Sequence, residues 1–104
     1  MSENARVRIT VLKVFDPKDV FEESPVKMSG PGVPCSIHHV GQEFIVESDM
    51  KMPEGFCHWA WNGINTGVKV LLFGGDYPWS EEPGTSVLCC TDGLRPVVFK
   101  IQRI

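Results

Sequence analysis

A chain of 104 residues with a formal net charge of -3, 42% hydrophobic and 22% charged residues has the size of one domain, spanning 1–104, and the composition of an ordinary globular protein. The acidic balance argues against a nucleic-acid partner, because phosphate neutralisation is the usual source of that affinity. Its concentrated positive charges, Arg6 and Arg8 near the start and Lys100 and Arg103 near the end, read as a solvated strand face. The longest apolar run, Val68 to Phe73, contains Lys69 and is too short to span a bilayer. Met1 to Arg6 lacks the apolar stretch and cleavage site of an export peptide, so we expect a cytoplasmic protein without a membrane partner.

From Arg6 to Phe15 apolar residues alternate with polar ones, Val7, Ile9 and Val11 against Arg6, Arg8 and Thr10, the pattern of a half-buried strand. Asp16-Pro17 reads as an N-cap followed by proline at the first helical position, opening a short helix to about Glu23. Pro25 to Pro34 is too rich in proline and glycine to be anything but loop. It delivers Cys35 ahead of a second strand, Gln42 to Glu47, launched by a turn at Gly41.

The main helix is expected over Pro53–Phe73. Phe56, Cys57, Ala60, Trp61, Ile64, Val68, Leu71 and Leu72 form its apolar stripe, and His58, Asn62, Asn65, Thr66 and Lys69 its polar face. Gly63 and Gly67 cost about 1 kcal/mol each there, and close approach of the backbone to the sheet would compensate. A helix ending near Gly63, with Val68 to Phe73 as a buried strand, fits the same periodicity. Gly74 to Gly84 is loop. Ser86 to Thr91 and Pro96 to Ile104 read as a hairpin around an Asp92-Gly93 turn, with Val97, Phe99 and Ile101 facing the core. The sum is an α+β fold: an antiparallel sheet of about four strands, one main helix packed on one face and a short second helix.

Four blocks carry a resemblance. Gly41-Gln42-x-Phe44-x-Val46, Pro53-x-Gly55-x-Cys57-x-Trp59-Ala60, Phe73-Gly74-Gly75-Asp76 and Cys89-Cys90-Thr91-Asp92-Gly93-x-Arg95-Pro96-Val97 together resemble an uncharacterised family of small, mostly anaerobe-associated prokaryotic proteins. The last block is the most specific, and the likeness covers nearly the whole chain. It implies a single-domain protein built around cysteine-bearing blocks and brings no catalytic assignment.

The four cysteines carry the chemistry. In a reducing cytoplasm metal binding or redox work gains on structural disulfides. Cys35-x-x-His38 is half of a zinc-type ligand set, and Cys57 with Cys90 (or Cys89) would complete soft ligation for zinc or iron. No Cys-x-x-Cys pair is present, so the fold would have to assemble such a site. As a redox site, Cys57 near a helix start, where backbone amides favour negative charge, would attack, and Cys89 or Cys90 would resolve the disulfide. A direct Cys89–Cys90 disulfide is a further option. Adjacent strand residues point to opposite faces, so only one of that doublet can face the core. Cysteine is also a small hydrophobe often found in cores, which explains Cys57 and one of the doublet without any function. Cys35 and the outward thiol have no such explanation.

Trp59 and Trp79, with Asp76, Asp92 and Arg95 at the border, are candidates to line a pocket for a planar ligand. The plainer reading has Asp92 forming the turn and Arg95 pairing with it at the surface. Gly74-Gly75 lacks the Lys-Ser/Thr of a phosphate loop, and no triad or carboxylate pair proposes hydrolysis. The leading expectation is a cysteine-dependent module that binds a metal or performs thiol redox chemistry. Its competitor is an interaction protein, a homo-oligomer or accessory subunit of a larger enzyme system, whose thiols are packing.

Overall fold

The computed structural model describes residues 5–30 and 32–104. Met1 to Asn4, on which the export-peptide reading partly rests, and Pro31 in the proline-rich loop lie outside the described residues. The elements follow in the order β1 (Val7–Val14), α1 (Pro17–Val20), β2 (Glu43–Val46), α2 (His58–Leu72), β3 (Thr85–Cys89) and β4 (Val97–Arg103). The four strands form one antiparallel sheet in the order β2-β1-β4-β3. With one main helix and one short helix, the architecture is α+β. No helix among the described residues is long and apolar enough to cross a membrane.

Alternation decides which sheet face is covered. Val7, Ile9 and Val11 of β1 pair with Val46 and Phe44 of β2 and with Ile101 and Phe99 of β4, so these side chains share one face, and all but half-buried Phe44 are fully buried. Each such aliphatic side chain contributes about 1.5–3 kcal/mol on burial. A bulge interrupts β1: Val11 opposes Phe99 and Lys13 opposes Val98, leaving Leu12 unpaired and partly exposed. The alternation gives no sign of it.

Helix α2 lies across β3, β4 and β1, burying Ala60, Ile64, Val68, Leu71 and Leu72. It is continuous to Leu72, so Val68 to Leu72 is helix and not strand, with Phe73 as the C-cap. Gly63 and Gly67 allow its approach to β3. A Cβ at Gly67 would stand 2.5 Å from Leu88 Cδ1 and 2.7 Å from the Tyr77 hydroxyl, and one at Gly63 would stand 3.0 Å from Thr91 Cγ2.

Three boundaries differ from the expectation. The short helix stops at Val20, because the Asp16/Asp19 capping box closes a single turn and Phe21 is already extended. The main helix starts at His58 and not Pro53: Gly55 takes φ +82, outside the helical region, and Cys57 is the extended N-cap. The β3–β4 connection spans residues 90–96 in place of a two-residue turn, and Gly93 is not among the glycines of positive φ that such a turn requires. The Asp92 carboxylate instead accepts the amides of Leu94 and Arg95 at 2.9 and 3.0 Å.

Arg103 departs from the solvated face assigned to the basic residues. It continues the inward register of Val97, Phe99 and Ile101, and its guanidinium donates to the carbonyls of Leu71 (3.0 Å) and Gly75 (2.8 Å) and to Asp76 (2.9 Å). It therefore adds a second donor to the Leu71 carbonyl, which also accepts the Gly74 amide at 3.0 Å, and ties the end of α2 to the loop that follows it.

Candidate functional site

Three segments meet at the N-terminal end of α2. The loop after Pro34 brings Cys35, Ser36, Ile37 and His38; the start of α2 brings Cys57, Trp59 and Ala60; the β3–β4 connection brings Cys90, Thr91, Asp92 and Arg95. Together with Gly93, Leu94 and Val97 they line a cavity of about 620 Å³. Of the side chains singled out by sequence, Cys35, His38, Cys57, Cys90, Trp59, Asp92 and Arg95 are gathered here. Cys89, Asp76 and Trp79 are elsewhere.

The Cys89–Cys90 doublet divides as alternation requires. Cys89, the last residue of β3, is exposed, while Cys90 is buried on the inner side. The Cys90 N–H donates to the Val97 carbonyl at 3.0 Å, and the Val97 N–H returns to Cys90 Sγ at 3.3 Å. In a regular ladder that amide would go to the Cys90 carbonyl, so the thiol here substitutes for a backbone acceptor. All four cysteines are free thiols, with Cys35 and Cys57 half-buried. Cys57 packs half-buried against the core but makes no side-chain cap bond, at a position where Ser or Asp would ordinarily bond the first amides.

His38 is the hinge between two of the segments. Only 2% exposed, its ring lies 4.8–5.5 Å, centroid to centroid, from the rings of Phe44, Phe56 and Phe99. Nδ1 is 3.1 Å from Gln42 Oε1, an oxygen that also accepts the His39 amide at 3.0 Å. Nδ1 must therefore carry the proton, and Nε2 accepts the Cys57 N–H at 3.4 Å. Burial pushes the imidazole below its ordinary value, the Gln42 bond opposes this, and His39 adds to the depression. With both nitrogens engaged, His38 fastens the Cys35 loop to the N-cap of α2 and has no lone pair left for a metal. Among the described residues no group of three or more His, Cys, Asp or Glu side chains is arranged to hold a metal ion.

Asp92 and Arg95 form the charged end of the cavity, paired through Arg95 Nε and Asp92 Oδ2 at 3.3 Å. Partial burial works against the Asp92 carboxylate, but the two amides and the guanidinium outweigh it and hold the group below the usual carboxylate range. Asp76 lies at the other end of α2, where the Arg103 guanidinium, then the Gly84 amide, depress it. Trp79, 74% exposed, stacks obliquely on Tyr77 at 5.2 Å.

Sequence reasoning missed Gln42, Ile37 and Leu94 as parts of this region. Ile37 lies within the Cys35–His38 segment, Gln42 follows it by four residues, and Leu94 lies between Asp92 and Arg95, so adjacency was the available signal. Comparison with protein-family models, with curated proteins and with solved structures finds no match for this chain.

Proposed function

We propose that this protein is a small cysteine-dependent module of the cytoplasm and that its cavity thiols act in thiol–disulfide exchange. One observation carries the reading: Cys35, Cys57 and Cys90, separated along the chain, line one cavity. Cys57 is the attacking thiol, since it is more exposed than Cys90 and its sulfur caps nothing, whereas Cys90 is buried and receives the Val97 amide. Attack on a disulfide R–S–S–R gives the Cys57–S–S–R mixed disulfide and one RSH, which takes the proton lost by Cys57. A second cavity thiol, Cys90 or Cys35, then displaces the other RSH. Two electrons pass from the protein dithiol to the disulfide, and the protein is left with an intramolecular bridge.

The test is thiol titration of the folded, reduced protein in a Cys89→Ser background, which removes the exposed thiol. The expected result is reaction of Cys57 without unfolding, followed by a product two hydrogens lighter. Labelling of Cys35, Cys57 and Cys90 only on the timescale of global unfolding would return the thiols to packing and favour an interaction protein. A second reading is a soft metal on these cavity thiols, which would have to close on the ion, since as placed no three such side chains among the described residues are arranged to hold one. Stoichiometric zinc or iron in protein purified without oxygen, with the thiols protected from label, would replace exchange by metal binding.

A further inference from the structure

The charged end of the cavity says what kind of disulfide it would take. We propose that the substrate is an organic disulfide carrying a carboxylate, its sulfurs lying among the thiols and its acid group on Arg95. The inference rests on the exchange reading above.

The cavity wall is mainly apolar, with Ile37, Ala60 and Leu94 beside the three cysteines, and among the described residues Asp92 and Arg95 are its only acidic or basic side chains besides buried, neutral His38. Arg95 spends only Nε on Asp92, and among the described residues its two terminal nitrogens have no protein partner. Asp92, by contrast, is already occupied by two backbone amides and that Nε. The open donors at this end are therefore cationic, in the fork that matches a carboxylate.

A second cavity of about 440 Å³ adjoins the first through Asp92, Leu94 and Arg95, and adds Lys27 and Ser29. In a chain of net charge -3, Lys27 and Arg95 against Asp92 leave the side chains lining the two cavities with one net positive charge. A ligand with a sulfur-bearing, largely apolar end and an acidic end matches this division. One Arg and one Lys are too few for a polyanion.

The measurement is the second-order rate of mixed-disulfide formation, read by mass spectrometry, on reduced Cys89→Ser protein with three reagents: dithiodiglycolate (anionic), bis(2-hydroxyethyl) disulfide (neutral) and cystamine (cationic). Each rate is divided by that of a free model thiol to cancel intrinsic reactivity. The expected result is a preference of about ten-fold for the anionic over the neutral reagent at low salt, shrinking as salt is added. Arg95→Gln should abolish the preference, with a cooperative urea transition showing that the variant is folded. Lys100→Gln, on the outer sheet face, should change neither. An equal preference in Arg95→Gln, no preference in the parent, or cystamine as the fastest reagent would overturn the inference and leave exchange standing. No reaction of any cavity thiol with any of the three would overturn exchange itself, and this inference with it.

Discussion

At its C-terminal end α2 is held by Arg103, which donates to two main-chain carbonyls and to Asp76, while the Tyr77 hydroxyl donates to the Gly67 carbonyl at 3.1 Å. At its N-terminal end the N-cap side chain bonds nothing, a single imidazole nitrogen holds one amide, and a cavity of about 620 Å³ opens beside it. One helix thus has an end whose polar groups are paired for stability and an end whose reactive groups are left unspent. Function is better sought where bonding capacity remains than where it has been used.

The sharpest way to break this contrast is Arg103→Ala. It removes two charge-assisted bonds, leaving the Gly75 carbonyl without a partner among the described residues while Leu71 keeps the Gly74 amide, and should cost about 2–3 kcal/mol by urea unfolding. The reactivity of the cavity thiols in the folded protein should be unchanged; a parallel rise would mean that the two ends are not independent.

His38→Phe is the matching change at the other end. It keeps an aromatic ring among Phe44, Phe56 and Phe99 but orphans the Cys57 amide and takes from the Gln42 oxygen one of its two donors, for about 1–3 kcal/mol. Here labelling of Cys57 should accelerate, because the N-cap loses its tether to the Cys35 loop. A stability loss without faster labelling would make His38 a core residue only.

The pH dependence separates His38 from the two carboxylates without mutation. Folded His38 binds its proton more weakly than an unfolded histidine, so the unfolded state takes up protons first as pH falls. Its contribution is complete above the unfolded value near about 6.5 and is lost as pH drops through the lower folded value. Asp76 and Asp92, both depressed, contribute above the unfolded carboxylate value near about 3.9 and lose that contribution only below it. Denaturant midpoints should therefore fall in two acid phases, and His38→Phe should remove the upper one. A single phase would contradict the buried neutral imidazole.

The smallest effect is expected at Gly93→Ala. With an ordinary φ and nothing within 4 Å of an added Cβ, the change should move stability by less than about 0.5 kcal/mol. A tight Asp-Gly turn would have suffered far more.

Much of the architecture was legible because period-two and helical patterning dominate in β1, β4 and α2. Val7, Ile9, Val11, Phe99 and Ile101 have one option each. The split of Cys89 from Cys90 follows from the same rule. What patterning could not supply was set by single backbone conformations: Gly55 turning left-handed ahead of α2, the unremarkable φ of Gly93, the early stop after Val20. The assembly of the cavity depends on strand order, to which no local pattern is sensitive, since β1 could pair with any neighbour presenting an apolar face. Arg103 was misread as a surface charge because its sign was weighed above its register.

The unpaired Leu12 has a consequence for the phase of β1. Val7, Ile9 and Val11 point inward, and a strictly alternating continuation would aim the ammonium of Lys13 into hydrocarbon and turn Val14 to water. The extra residue resets the phase, so that Val14 packs against the core opposite buried Val97 and Lys13 stays exposed. Deleting Leu12 would therefore leave every partner in place, since Val11, Lys13 and Val14 would meet Phe99, Val98 and Val97 in an unbroken ladder; losing any one residue of Val7–Val11 instead would act on this strand as a frameshift acts on a message.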